Sequence, residues 1–235
     1  MLANHLELDA RVLVVAMELA MATLQDCAGK FITFEGIEGV GKSTQVSLIS
    51  EELKRAEVPL VVTREPGGTE IAEAIRTVLL THYKETMVPI TELLMLFAAR
   101  AQHINTVIKP ALKAGSCVIC DRFTDATYAY QGGGRGVYLQ NILQLENMVQ
   151  GDLRPDFTIL LDTDNVNLCL TRAKGVGTGD RIEMEQVSFF ERVRKLYLAR
   201  ANGNPSRFKV LDAMQPVAEL QKAIISALND KFTTS

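Results

Sequence analysis

Apolar residues fall along this chain in two alternating rhythms. Short continuous runs occupy about 30–35, 58–63, 116–121, 157–162 and 207–211. Between them, apolar positions recur at helical spacing near 42–56, 70–81, 91–114, 139–150, 166–174, 186–201 and 216–230. Apolar runs without polar alternation predict strands buried on both faces, and strands separated by helices predict a parallel sheet covered on each side. The pattern is that of an α/β fold with a five-stranded parallel sheet flanked by helices. Asp164 and Asn165 are candidate caps for the helix that follows them. No internal repeat or low-complexity tract interrupts the alternation. A chain of 235 residues suits one such domain with a lid, or at most two small ones.

Ligands of open parallel sheets bind at the carboxyl ends of the strands, and there the informative residues gather. The first run, Phe31-Ile32-Thr33-Phe34, leads into Gly36-Ile37-Glu38-Gly39-Val40-Gly41-Lys42-Ser43 and then Thr44, where a helical pattern begins. Strand, glycine loop and helix in that order form a phosphate-binding loop. Glycine lets the backbone curl so that several N–H groups face phosphate oxygens, and the helix adds its positive end. Lys42 is placed to reach the β- and γ-phosphates, and the Ser43 hydroxyl to ligate magnesium. The four fixed positions coincide by chance in roughly one chain of this length in a hundred, and the correct flanks make coincidence rarer still. The fold implied is that of the P-loop nucleoside triphosphatases.

Three other strand ends carry charge toward the same edge. Thr63-Arg64-Glu65-Pro66-Gly67-Gly68 follows the second run, Asp121-Arg122 ends the third, and Asp162 ends the fourth. Asp121 suits a magnesium-steering carboxylate. Arg122 supplies a planar fork for a second phosphate. Glu38, a carboxylate inside a phosphate loop, is expected to point away from the triphosphate, toward a phosphoryl acceptor such as a sugar hydroxyl. Lys174-Gly175-Val176-Gly177-Thr178-Gly179-Asp180-Arg181 reads as a mobile lid on a glycine hinge. The phosphate loop lacks arginine, so Arg172 or Arg181 is expected to meet charge on the transferring phosphoryl group. Gly132-Gly133-Gly134-Arg135-Gly136 follows no clear strand and, taken alone, signals little more than a turn.

Composition narrows the partners. Hydrophobic residues make up 47% and charged residues 23% of the chain, the balance of a globular protein with a sizeable core. A net charge of −3 argues against broad nucleic-acid binding. The longest early apolar run, Val12–Met17, falls far short of the roughly 18 residues that would span a membrane. Residues 1–28 read as an extension outside the domain at 29–235, without the basic leader of a signal peptide. Cys117 and Cys120 form a C-x-x-C, but on a strand residues three apart face opposite ways. The four cysteines are therefore expected to be small core residues in a reducing cytoplasm.

Together these segments resemble bacterial thymidylate kinase. The resemblance spans about 30–230 and rests on Phe34-Glu35-Gly36 through Thr44, Thr63–Thr69, Phe97-Ala98-Ala99-Arg100-Ala101-Gln102, Asp121-Arg122, Tyr130–Gly136 and Asp180-Arg181-Ile182-Glu183. It implies transfer of the γ-phosphoryl of ATP to dTMP with magnesium, giving dTDP, by a nucleoside monophosphate kinase domain that commonly forms homodimers. It further implies that Lys42 and Ser43 hold ATP phosphates and metal, and that Glu38 faces the deoxyribose 3′-hydroxyl. Arg122 would grip the dTMP phosphate with Arg64 or Arg76, in a pocket that includes Glu65. Arg100 would bond a thymine carbonyl, Thr127 and Gln131 would read the base edge, and Arg181 would be the lid arginine. Many relatives carry a stacking aromatic four residues before the base-reading arginine. That position is Leu96 here, leaving Leu96 or the adjacent Phe97 to meet the base.

The residues leave two alternatives. Another nucleoside monophosphate or deoxynucleoside kinase would share the phosphate loop, although a nucleoside acceptor gives Arg122 no phosphate to hold. A guanine-nucleotide switch would need N-K-x-D, which is absent, and D-x-x-G after the loop, whereas Asp26–Gly29 precedes it.

Overall fold

The computed structural model describes residues 24–174 and 180–233. Its five strands are β1 (Phe31–Glu35), β2 (Leu60–Arg64), β3 (Cys117–Asp121), β4 (Phe157–Asp162) and β5 (Phe208–Asp212). They form one sheet in the order β2-β3-β1-β4-β5, with every pair parallel. The central strands β1, β3 and β4 are the continuously apolar ones, whereas β2 and β5, at the edges, stay half exposed. Helices α1 (Lys42–Arg55), α2 (Glu70–Leu80) and α3 (Pro89–His103) follow the first two strands. After α3 the chain continues helically through a π turn, Ile104–Ile108, into α4 (Lys109–Lys113). The widened turn immediately precedes Pro110, which has no N–H and whose ring crowds the carbonyl four residues back.

The sheet divides the core as the strand period requires. Ile32, Phe34, Cys117 and Ile119 pack on one face with Ile49, Leu53 and Ile224. Phe31, Val118 and Cys120 pack on the other with Ile104, Ile108 and Phe123. Cys117 and Cys120 thus lie on opposite faces, all four cysteines are free and buried, and burial pushes the Cys27 thiol up to about 12.

Two expectations are corrected here. Leu24 and Cys27 are buried in the main core, so the packed body begins before residue 29; residues 1–23 lie outside the described residues. The segment after β3 is helical rather than a plain turn: α5 (Thr124–Thr127) runs directly into a π-helical stretch, Tyr128–Gly134. The remaining helices are α6 (Leu139–Gln150), α7 (Val166–Lys174), α8 (Val187–Gly203) and α9 (Val217–Phe232). Asn165 caps α7, its side-chain oxygen accepting from Leu168 N at 3.1 Å.

The glycine run is a packing device. A Cβ on Gly133 would lie 2.8 Å from the Arg192 carbonyl oxygen, and one on Gly134 would lie 2.4 Å from the Phe189 ring. Only hydrogen fits where this helical segment meets the backbone of α8. Gly133→Ala is expected to destabilise the fold by about 1–3 kcal/mol. A fall in the urea midpoint would show this; an unchanged midpoint would mean that the helices separate without cost.

Candidate functional site

The phosphate loop spans the end of β1 and the start of α1. Gly39 takes a left-handed φ of +72°, and a Cβ there would sit 1.9 Å from the Cys169 carbonyl oxygen, so the loop lies directly on α7. Lys42 opens α1 and is buried, its Nζ donating to Gly36 O at 3.1 Å and Ile37 O at 2.8 Å. Burial, with the nearby Arg122 charge, pulls the Lys42 pKa down to about 8. A polyanion beside Lys42 would raise its pKa again.

At the end of β3, Ser43 Oγ donates to Asp121 Oδ2 at 3.4 Å, while Asp121 Oδ1 is buried without a hydrogen-bond partner among the described residues. A hydroxyl beside an unsatisfied carboxylate oxygen is a donor set that fits a hard divalent cation. Arg122 comes next, in a left-handed conformation with φ 68°, which costs a non-glycine residue on the order of 1 kcal/mol. Surrounding bonds hold it there: Arg122 N donates to Phe34 O at 2.9 Å and Cys120 Sγ to Arg122 O at 3.0 Å. Its guanidinium reaches Gly36 O at 2.8 Å, Glu38 Oε1 at 3.0 Å and Tyr197 Oη at 3.2 Å, and lies 4.9 Å from the Tyr130 ring centroid. Tyr130 Oη donates to the other Glu38 oxygen at 2.7 Å. Glu38 therefore faces Arg122 rather than the donor loop, as its charge requires.

Beyond Arg122 opens a cavity lined by Glu38, Glu65, Arg76, Leu96, Arg100, Thr127, Gln131 and Arg181, among others. Arg100 is buried, with Nε on Glu65 Oε2 at 2.7 Å and Nη2 on Thr127 Oγ1 at 2.9 Å; its Nη1 has no partner among the described residues. The other Glu65 oxygen is held by His103 Nδ1 at 3.0 Å, and His103 Nε2 lies 2.7 Å from Thr63 Oγ1. With Nδ1 protonated toward the carboxylate, Nε2 accepts the threonine proton. Thr127 and Gln131, one turn apart, share the cavity wall as their spacing requires.

Several expected residues stand elsewhere. Phe97 is core, packed with Leu93, Tyr128 and Ile142, and Leu96 alone of the pair lines the cavity. Arg64 is exposed on the groove beside Ser43 and pairs with Glu73 at 3.0 Å, whereas Arg76 points into the cavity and donates to Pro66 O at 2.9 Å. Arg181 lines the same cavity as the loop residue Glu38, bonding Leu79 O at 3.0 Å and pairing with the buried Glu92. Arg172 is exposed on α7, one turn past Cys169. The hinge glycines at 175–179 lie outside the described residues.

Sequence reasoning missed Glu92, His103, Tyr130 and Tyr197. Glu92, Leu96, Arg100 and His103 lie three or four apart on one helical stripe, and three ionisable groups on a stripe shared with Leu96 were the available signal. Tyr197 gives no local signal, because its partner Glu35 lies 162 residues away.

Glu35 is fully buried, accepting from Phe123 N and Tyr197 Oη at 2.7 Å each. Burial, with Asp125 nearby, pushes its carboxyl from 4.5 up to about 7. A raised folded pKa contributes stability at low pH that is lost as pH rises through it. Wild type should therefore lose stability between pH 5 and pH 8 relative to Glu35→Gln. Denaturant midpoints at the two pH values test this, and parallel behaviour of the two proteins would refute it.

Comparisons with known proteins follow the same lines as this geometry. The family model "Thymidylate kinase" matches residues 34–224. A thymidylate kinase of Pseudomonas fluorescens strain SBW25 is 54% identical over 200 residues, 85% of this chain and 95% of that one. One from Teredinibacter turnerae is 54% identical, covering 85% and 97%. The crystal structure of thymidylate kinase from Ehrlichia chaffeensis superposes with a TM-score of 0.70 at 34% identity, covering 86% of this chain and 98% of that one. With a phosphate loop, a cavity beside Arg122 and likeness over nearly its whole described length, this chain belongs to the thymidylate kinase family.

Proposed function

We propose that Lys42 and Arg122 hold the two reacting phosphates of one phosphoryl transfer on either side of Gly36. The enzyme is a thymidylate kinase, converting dTMP and ATP to dTDP and ADP. One observation carries the residue assignment: Lys42 Nζ and Arg122 Nη1 both donate to the Gly36 carbonyl, at 3.1 and 2.8 Å. A cation from the donor loop and a cation from the acceptor cavity thus converge on one atom. Phosphates drawn to each would be neighbours, which is what direct transfer needs. An oxygen of the dTMP phosphate attacks the γ-phosphorus, the bond to the β–γ bridging oxygen breaks, and ADP leaves.

The loop amides and Lys42 bind the ATP phosphates and meet the charge that develops on leaving. Arg122 and Arg76 bind the acceptor phosphate. Glu38, held between Arg122 and Tyr130, faces the deoxyribose 3′-hydroxyl. Leu96 covers the base, and Arg100 with Gln131 reads its edge. Ser43 and Asp121 are the residues that would hold magnesium, which would supply charge neutralisation for the nucleotide phosphates. The chain also forms a homodimer in this reading. Ile90 and Leu94 are exposed at i and i+4 on α3, and Ile71 and Val78 are exposed on adjoining α2, an apolar face beside the sheet. Among the described residues no helix is long and apolar enough to cross a membrane.

Phosphate acceptance from dTMP, dUMP, UMP and thymidine tests the substrate, and preference for thymidine would overturn it. Arg122→Ala should raise the KM for dTMP more than that for ATP; equal changes would remove Arg122 from the acceptor side. Lys42→Ala should lower turnover about 100-fold or more, and unchanged turnover would exclude Lys42 from the reaction.

A further inference from the structure

Glu92 is the most heavily used carboxylate of the cavity. It lies in the first turn of α3 and is 1% exposed. Gln131 Nε2 donates to its Oε1 at 2.7 Å, Arg135 Nε reaches the same oxygen at 3.3 Å, and Arg181 pairs with its Oε2. An ionised carboxylate only accepts hydrogen bonds, so it dictates which end of the Gln131 amide faces it. The NH2 group must turn to Glu92. The amide oxygen, which takes no hydrogen bond among the described residues, is then the end left for the cavity.

We propose that Glu92 is a positioning residue that sets base selectivity by fixing the polarity of the Gln131 amide. The inference rests on the reading of this cavity as the nucleobase site. Arg100, anchored by Glu65 and Thr127, offers only donors, and its Nη1 is a buried nitrogen without a partner among the described residues. Thr127 links Arg100 to the wall that carries Gln131 one turn later. With the amide fixed, the wall presents a donor from Arg100 and an acceptor from Gln131. A 4-oxo pyrimidine answers with the O4 acceptor and the N3–H donor. A 4-amino pyrimidine offers an amine donor and a bare N3 acceptor, mismatched at both. Arginine cannot invert its polarity. Glutamine can, by rotating its amide half a turn, and rotation here would set the amide oxygen against the Glu92 carboxylate. The repulsion of two acceptors in a buried site keeps the reading unambiguous.

The test compares kcat/KM for dTMP and dCMP, with ATP, in the full-length wild type and Glu92→Gln. A neutral amide at 92 accepts either orientation of Gln131, so the dTMP-to-dCMP ratio should fall about tenfold or more. In a Gln131→Ala background the same change should leave the ratio where it is. Loss of the ion pairs to Arg135 and Arg181 alone would lower both acceptors equally, and an unchanged ratio would overturn the proposal. Should Glu92→Gln fail to fold, Glu92→Asp serves. It keeps the charge for both arginines while drawing the acceptor back from Gln131 by one methylene. The ratio should narrow again, and a wild-type ratio overturns the proposal. A wild type that does not prefer dTMP to dCMP would instead refute the reading of the cavity.

Discussion

Two positive charges, Lys42 and Arg122, donate to the single carbonyl oxygen of Gly36. They repel each other, and the repulsion contributes to the depressed Lys42 pKa. Glu35, Glu38 and Asp121 offset it from three sides. The site is thus built around two cations held close together among carboxylates, with Lys42 the one whose charge burial and Arg122 disfavour. The geometry of β1 and β3 makes this possible. Their parallel pairing aligns Phe34 with Asp121, so the loop and Arg122 leave the sheet at adjacent strand ends.

A second regularity governs the acceptor cavity. Groups that would touch the ligand are held in place by buried or half-buried carboxylates. Glu38 holds Arg122, Glu65 holds Arg100 and Glu92 holds Gln131. Glu35 supports the Arg122 turn through Phe123 N and Tyr197. Charges placed this way are costly to bury and become tolerable because each is multiply hydrogen-bonded. The return is rigidity: a guanidinium bonded on two edges keeps one orientation, and hydrogen-bond reading of a base depends on that. Gly68 belongs to the same arrangement, since a Cβ there would meet Thr63 Oγ1 at 2.5 Å and His103 Nε2 at 2.7 Å.

The reading of individual elements shows where local information suffices. The strands and α1, α2, α6 and α7 follow their apolar periods closely, because each buries a face against the sheet or its neighbours. The segment at 124–134 escaped because three consecutive glycines argue locally for a turn, whereas their use is to let one helix touch another. Arg181 is expected to meet the transferring phosphoryl group, from its place after the glycine hinge and from the resemblance. The structure adds its pairing with the buried Glu92, and no short-range pattern ties residue 92 to residue 181.

By itself the sequence determined the parallel sheet, the phosphate loop and the strand ends where Asp121 and Arg122 stand, because period, glycine chemistry and strand-end position are local properties. Arg100, Thr127 and Gln131, which the resemblance grouped together, line one cavity in the structure. Only the tertiary structure decided that Leu96 rather than Phe97 faces the cavity, that Arg76 rather than Arg64 points into it, and that Glu92 gathers Gln131, Arg135 and Arg181. Those outcomes depend on which side chains meet once distant helices pack, and spacing along a chain does not encode that meeting.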